Sequence, residues 1–199
     1  SANARSLELM MYSLHALLVS TGTVALAEIG DKTQLLALLL AARFRKTWPI
    51  AFGILTATLL NHALSAWFGA ELAQWLSPEV LRWFVAGSFL AVAIWTLKPD
   101  TLDDDEKLPA RGAFITTTIA FFLAEIGDKT QVATVLLATK YEPLWQVIVG
   151  TTLGMLIANL PVVWMGHKFA DRLPLKLARN VAATVFLALA IWVAWFGIG

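Results

Sequence analysis

Long apolar segments follow one another along almost the whole chain, and they restrict the fold more than any other feature. Several of them exceed the roughly 20 residues that a helix needs to cross a bilayer. Six segments are predicted: Met11–Ala42, Trp48–Ala70, Val80–Leu97, Ala113–Thr139, Trp145–His167 and Leu175–Ile198. Lipid offers no hydrogen-bond partners to open backbone groups, so segments that cross it are expected to be helical. The sequence therefore predicts an all-α membrane protein.

The composition supports a membrane protein and excludes several other classes. Hydrophobic residues make up 58% of the 199 residues and charged residues 15%, whereas a soluble domain has about 25% charged residues. The chain has no cysteine, which excludes disulfides and thiolate metal sites. The net charge is +1 and no basic patch occurs, so we do not expect a nucleic-acid partner.

The same nine-residue sequence, LAEIGDKTQ, occurs at Leu26–Gln34 and again at Leu123–Gln131. The match continues far beyond these letters at a constant shift of 97 residues, without a gap. It aligns Trp48 with Trp145, Gly53 with Gly150, Gly69 with Gly166, and FLAVAIW (Phe89–Trp95) with FLALAIW (Phe186–Trp192). The chain is therefore interpreted as an internal duplication of a three-helix unit.

A unit with an odd number of spans makes the second copy enter the membrane from the opposite side. The loops after the first, third and fifth segments hold Arg43, Arg45, Lys46, Lys98, Lys107, Arg111, Lys168, Arg172, Lys176 and Arg179. The other loops and the termini hold only Arg5, Arg82 and Lys140. By the positive-inside rule, the central loop is expected in the cytoplasm and both termini outside.

The predicted fold is thus six transmembrane helices arranged as two inverted three-helix repeats, with broken or kinked first helices. Residues 1–10 are expected to be a short tail, left in part by an expression vector, and the first apolar segment is too long for a cleavable signal peptide. Repeat one covers 11–98 and repeat two covers 113–199. Between them, 99–112 form a cytoplasmic linker whose run DDDE, Asp103–Glu106, is expected to be solvated.

The repeated motif places charges in the middle of apolar segments, where ionised groups are costly and usually face an interior cavity. On a continuous helix Glu28 and Asp31 would share a face, because they are three residues apart. Lys32 is four residues from Glu28 and can form an ion pair with it. Gly30 permits a local break. Inverted repeats are an architecture of secondary transporters, whose site lies at the repeat interface.

If the two motifs converge, four carboxylates line one cavity: Glu28, Asp31, Glu125 and Asp128. With Lys32 and Lys129 the formal charge is −2, which one divalent cation neutralises. Oxygen ligands without sulfur suit hard cations such as Ca²⁺, Mn²⁺ or Mg²⁺. Crowded carboxylates also bind protons, so metal and protons would compete for the same groups. The motif thus indicates metal/proton exchange, while Glu–Lys pairs that only join helices are the structural alternative.

Further polar residues in the apolar segments are candidates for the same site. Amide oxygens as additional ligands are offered by Gln34, Gln131, Asn61 and Asn159, although helix–helix hydrogen bonding explains asparagines equally well. Lys32 and Lys129 either gate the site or form ion pairs. Thr33 and Thr130 either contact the ion or bond to helices. His62 aligns with Asn159 and is a polar contact, a ligand or a proton relay.

At these residues the chain resembles the cation/proton exchanger family that carries two E-x-G-D-[KR]-[ST] motifs. Glu28–Thr33 and Glu125–Thr130 match the pattern fully, and the resemblance covers nearly the whole chain. The family includes Golgi calcium/manganese exchangers and bacterial manganese exporters. The resemblance implies export of Mn²⁺, or of Ca²⁺, in exchange for protons, with the acidic residues of both motifs as ion ligands. Neither ion is a permanently bound cofactor; each is a transported substrate. Because the chain is short and has little outside the membrane, it looks like a bacterial member, and the expected location is the bacterial inner membrane.

Three other functions compete with a transporter. A cation channel also uses acidic rings. A small amino-acid exporter has a similar three-plus-three architecture, but four buried acids would repel the carboxylate of its substrate. An enzyme is not expected, because no nucleophile–base arrangement is present in the motifs. The expected partners are membrane lipid and a divalent cation, and the sequence leaves a monomer and a homodimer open.

Overall fold

The computed structural model describes residues 2–99, 111–166 and 172–198, and all regular elements in these ranges are α-helices. They are α1 (Ala2–Glu28), α2 (Lys32–Phe44), α3 (Thr47–Trp75), α4 (Pro78–Thr96), α5 (Ala113–Glu125), α6 (Lys129–Lys140), α7 (Leu144–Met165) and α8 (Leu175–Phe196). The predicted all-α class is confirmed for these ranges. The acidic run Asp103–Glu106 and the predicted segment end at His167 lie outside them.

Within the described ranges, five helices are long and apolar enough to cross a membrane: α3, α4, α7, α8 and the Met10–Glu28 part of α1. The apolar helix α5 is shorter. Large apolar side chains cover the outer faces, and Trp75 and Trp195 are 82% and 77% exposed. Soluble monomers rarely expose apolar patches of this extent, so these surfaces fit lipid. The arrangement of six spans as inverted repeats stays a prediction.

The first and fourth predicted segments each consist of two helices, as the expectation of a broken first helix required. Met11–Ala42 contains most of α1 and all but the end of α2, and Ala113–Thr139 contains α5 and most of α6. α1 begins at Ala2 and not at the predicted Met11, because residues 2–10 are rich in Ala, Leu and Met, which are good helix formers. α3 continues past the predicted Ala70 to Trp75 for the same reason and stops before Pro78.

Helices of one half pack mainly against helices of the other half. α1 packs on α7, α3 on α5, and α4 on α8. In the last pair, Phe89 stacks on Phe186 with ring centroids 6.2 Å apart, and these two residues are equivalent under the 97-residue shift. Because Phe89 contacts its own equivalent, this pair lies where the two halves meet. The helices that carry the motifs, α1 and α5, are likewise each packed against a helix of the other half.

Two equivalent glycines allow the helices to approach closely. A Cβ atom on Gly53 would lie 2.7 Å from the Cβ of Thr117, and one on Gly150 would lie 2.7 Å from the Cβ of Ser20. Thr117 and Ser20 are also equivalent positions. Small residues let helix backbones approach within membranes, and here the same contact is formed twice, once between α3 and α5 and once between α7 and α1.

Candidate functional site

Each motif forms a tight turn between two helices. α1 ends at Glu28, the N–H of Asp31 donates to the Glu28 carbonyl at 3.0 Å, and Gly30 has φ of +79°. In the second copy Ile126 has φ −63° and ψ 119°, and Gly127 has φ +77°. These are the angles of a type II β-turn, whose third residue needs positive φ. The motif glycine is therefore explained by the turn.

The aspartate and the glutamine of each motif cap the helix that follows the turn. Asp31 and Asp128 are the N-cap residues of α2 and α6, and each Oδ1 accepts from the next backbone N–H at 2.7 Å. The amide oxygens of Gln34 and Gln131 accept from the N–H of the turn glycine, at 2.9 and 2.6 Å. This arrangement is similar to a capping box. The amide oxygens of Gln34 and Gln131, which were predicted as additional ion ligands, thus accept hydrogen bonds within the turns.

The break corrects the geometry expected from helical spacing. Glu28 is the last residue of α1 and Asp31 precedes α2, so the two carboxylates do not share a face of one helix. The Thr33 hydroxyl donates to Glu28 Oε2, and the Thr130 hydroxyl donates to Glu125 Oε2 at 2.7 Å. The threonine at the start of each second helix therefore holds the carboxylate at the end of the first.

Each lysine pairs with the aspartate of the other motif. Lys129 Nζ lies 3.2 Å from Asp31 Oδ1, and Lys32 Nζ lies 3.9 Å from Asp128 Oδ2. The pair expected between Lys32 and Glu28 on one helix is not found among the described residues. The turn at Gly30 starts a new helix at Lys32, so a four-residue spacing no longer brings the two side chains together. The two motifs are instead joined by crossed ion pairs.

Three of the four candidate carboxylates meet in one group, which we call the carboxylate cluster. Glu28, Asp31 and Asp128 each offer an oxygen within 4.8 Å of the others, and all three are buried. Oxygens on opposite sides of a bound ion are separated by twice the bond length, roughly 4.2 Å for Mg²⁺ and about 4.6–5.2 Å for Ca²⁺. The cluster therefore has the dimensions to hold one divalent cation.

The fourth carboxylate, Glu125, is fully buried but is not part of the cluster within the described ranges. Its Oε2 lies 3.8 Å from His62 Nε2 on α3. The equivalent carboxylate, Glu28, accepts a hydrogen bond from Asn159 Nδ2 on α7 at 3.2 Å. The expected convergence of four carboxylates is thus found for three, and the fourth faces an imidazole beside them.

The amide nitrogens of Gln34 and Gln131 join the second helix of each motif to the opposite half. Gln34 Nε2 donates to the Ala158 carbonyl on α7 at 2.9 Å. Gln131 Nε2 donates to Asn61 Oδ1 on α3 at 3.2 Å. Ala158 and Asn61 are equivalent positions, so the same connection is made once through backbone and once through a side chain. All the predicted polar residues therefore lie in or next to one site.

The site is not symmetric, although the motif letters are identical. The side chain of Lys129 is 5% exposed and that of Lys32 is 32% exposed. A Cβ atom on Gly30 would lie 3.1 Å from Leu175 Cδ2, whereas one on Gly127 would meet no described atom within 4 Å. Leu175 was not predicted to lie near the site. The sequence shows only that the two halves differ at this position, since the equivalent residue in the first half is Pro78.

Replacement of the turn glycines by alanine is expected to destabilise the protein unequally. An L-residue in the left-handed region costs roughly 1–2 kcal/mol, and this applies to Gly127→Ala. Gly30→Ala adds the contact with Leu175 and should lower the unfolding temperature further. Thermal unfolding of the purified variants in detergent measures both. Equal losses, or no loss, would contradict the assignment of these turns.

Comparison with known proteins adds the family. The sequence model of the family described as the divalent cation/proton antiporter GDT1 matches residues 16–104 and 113–199. The chain belongs to the GDT1 family. The two matched stretches correspond to the two halves of the duplication, each with one motif. This GDT1 chain is accordingly an integral membrane protein of a transporter family.

The GDT1 chain has relatives in bacteria and plants. It is 55% identical over 184 residues to a Vibrio cholerae protein named "Putative manganese exporter", with 92% of each chain covered. It is 26% identical to a GDT1-like protein of Synechocystis, covering 87% of this chain and 93% of that one. It is 27% identical to GDT1-like protein 3 of Arabidopsis thaliana, covering 88% and 69%. No solved structure matches the chain.

Proposed function

We propose that this GDT1 protein is a secondary active transporter that exports Mn²⁺ from the cytoplasm in exchange for protons, with Ca²⁺ as the alternative substrate. The carboxylate cluster carries the proposal, because its members come from both motifs and its size suits one divalent ion. The choice of Mn²⁺ is supported by the name of the Vibrio cholerae relative. Oxygen ligands accept both ions.

The proposed cation ligands are Glu28, Asp31 and Asp128, with Glu125 beside them. All four residues are at most 2% exposed, and unneutralised charges at such burial are unfavourable. Together with the two motif lysines they leave a formal charge of −2, which one divalent ion compensates. A cation bound in the cluster would therefore stabilise the contact between the two motifs.

Protons are the proposed counter-ion because the same carboxylates remain crowded when the metal leaves. Neighbouring carboxylates in a desolvated site favour the protonated form, and a bound cation favours the ionised form. Metal and protons thus occupy the site in turn. If the site faces one side of the membrane at a time, each exchange moves the metal one way and protons the other.

A transporter accounts for the site better than a channel. The cluster is buried and crossed by the Lys129–Asp31 pair at 3.2 Å, so ions do not have a continuous open path through it. Interrupted helices that meet at the site are a feature of secondary transporters with inverted repeats. We include in the proposal the six-span inverted arrangement, with the central loop in the cytoplasm and both termini outside, so that the direction of transport is export.

Removal of the buried lysine is expected to strengthen metal binding. The ammonium of Lys129 lies 3.2 Å from a proposed ligand oxygen, where it competes with a cation. Lys129→Gln should lower the Kd for Mn²⁺ about tenfold, equivalent to about 1.4 kcal/mol, and slow release during turnover. Lys32→Gln is the matched control, because Lys32 is one-third exposed and 3.9 Å from its partner. Its effect should be smaller, since exposed ion pairs contribute little.

Calorimetric titration of both variants with Mn²⁺ measures the difference. Weaker Mn²⁺ binding by Lys129→Gln would indicate that this lysine only holds the two motifs together, and equal effects of both changes would remove the distinction between the buried and the exposed pair.

The function itself is tested by flux in vesicles that contain the purified protein. We expect saturable Mn²⁺ uptake that increases when a pH gradient drives protons the opposite way, with Ca²⁺ as a second substrate and Mg²⁺ as the comparison ion. Absence of divalent flux would reject the proposal. Large unitary currents without dependence on the pH gradient would identify a channel instead.

A further inference from the structure

The two halves of the site follow one plan but end in different side chains. We call Glu28 with Asn159 the first half-site, and Glu125 with His62 the second half-site. Asn159 and His62 are equivalent under the 97-residue shift. Asn159 donates to Glu28 Oε2 at 3.2 Å, whereas His62 Nε2 stands 3.8 Å from Glu125 Oε2. The duplication has therefore kept the carboxylate and changed the group that faces it.

Three polar atoms of the second half-site are buried without hydrogen bonds to described residues. Among the described residues, neither ring nitrogen of His62 has a hydrogen-bond partner, and the same holds for Glu125 Oε1. His62 and Glu125 are both 0% exposed. Thr58 lies one helical turn before His62, and its hydroxyl is also buried without a partner there. Leaving buried polar atoms unpaired costs about 1–3 kcal/mol per group, so these atoms are available to an added ligand.

The separation of the two groups suits a shared ion. A distance of 3.8 Å is too long for a hydrogen bond. Two ligands of one metal ion, each bonded at about 2.1–2.2 Å, are roughly 3 Å apart at right angles and up to roughly 4.4 Å apart on opposite sides. The nitrogen and the oxygen of the second half-site lie within this range.

We propose that Glu125 and His62 form a second cation-binding site beside the carboxylate cluster, and that the imidazole makes the protein prefer transition-metal ions such as Mn²⁺ over Ca²⁺. Ca²⁺ takes oxygen ligands. Mn²⁺ also suits carboxylates, but it belongs to the first-row transition-metal ions that bind at mixed nitrogen and oxygen sites. The first half-site offers an amide and provides no such discrimination. The inference rests on the proposed function, because it concerns the ions carried through the same site.

Substitution of His62 by asparagine tests the preference, because it makes the two half-sites alike. In the full-length protein in vesicles, His62→Asn should raise the KM for Mn²⁺ about tenfold or more, the loss typical when a group supporting a metal site is removed. The KM for Ca²⁺ should stay unchanged. His15→Asn is the control, because His15 is exposed and lies outside both half-sites, and it should leave both values as they are. Equal rises for both ions, or no change, would overturn the proposal.

Pulsed electron paramagnetic resonance of bound Mn²⁺ gives a second measurement that does not depend on transport. We expect coupling to an imidazole nitrogen in the wild-type protein and in His15→Asn, and its loss in His62→Asn. Wild-type protein without this coupling, or coupling that persists in His62→Asn, would overturn the proposal. The two hypotheses fail differently: absence of wild-type Mn²⁺ flux rejects the transport function, whereas Mn²⁺ flux with an unchanged ion preference in His62→Asn rejects only this inference.

Discussion

Replacement of Asp31 by asparagine is expected to reduce Mn²⁺ transport by roughly 100-fold, the upper end of the losses seen when metal sites are altered. Asparagine is as good an N-cap as aspartate, so α2 should still begin after the turn. The change removes one of three cluster carboxylates and leaves Lys129, at 3.2 Å, opposite a neutral group. The initial rate of Mn²⁺ uptake into vesicles at equal protein density measures the effect.

The control for this experiment is Glu79→Gln, which removes a carboxylate whose side chain is 71% exposed. Its uptake rate should equal that of the wild type. Asp128→Asn repeats the test in the second motif, where the aspartate is also an N-cap. Near-normal uptake by both aspartate variants would exclude the carboxylate cluster as the transport site, whatever its geometry.

The second large effect is expected at a helix contact and not at the ion site. A Cβ atom on Gly69 would lie 2.3 Å from the Val135 carbonyl oxygen and 3.0 Å from the Ala138 side chain. Gly69→Ala therefore forces α3 and α6 apart, and overpacking of this kind costs typically about 1–3 kcal/mol. We expect a lower unfolding temperature and a lower yield of folded protein in detergent.

Gly87→Ala is the matched control for this change. Gly87 also lies inside a helix, α4, but a Cβ atom there meets no described atom within 4 Å. Because alanine is a better helix former than glycine by about 1 kcal/mol, this variant should be as stable as the wild type or more stable. If both variants unfolded at the wild-type temperature, close packing at Gly69 would not contribute to stability.

The sequence was sufficient to predict that the two motifs belong to one site. Identical letters at a constant shift of 97 residues predict that the two motifs form the same local turn in equivalent places of the two halves. The partners within the site could not be predicted, because the spacing rules assumed a continuous helix. Gly30 ends that helix, and Lys32 then reaches Asp128 in the other half and not Glu28 in its own.

The differences between the half-sites could not be predicted from the motif sequence either. Glu28 and Glu125 stand in identical local sequences, yet only Glu28 belongs to the carboxylate cluster. The residues that contact the two motifs differ, and they are far away in the sequence: His62 aligns with Asn159, and Leu175 aligns with Pro78. Their effect depends on how the two halves pack together, and aligning the sequence with itself gives no information on that packing.

The crossed ion pairs have a consequence for each three-helix unit on its own. The motif of a single three-helix unit contains one lysine and one aspartate. In this structure the two do not pair with each other, because each ion pair joins the lysine of one unit to the aspartate of the other. Such a unit would satisfy its charges only against a second copy of itself, through an isologous interface in which each copy gives and receives the same pair. Joining both units in one chain keeps the two pairs while allowing equivalent positions such as His62 and Asn159 to hold different side chains.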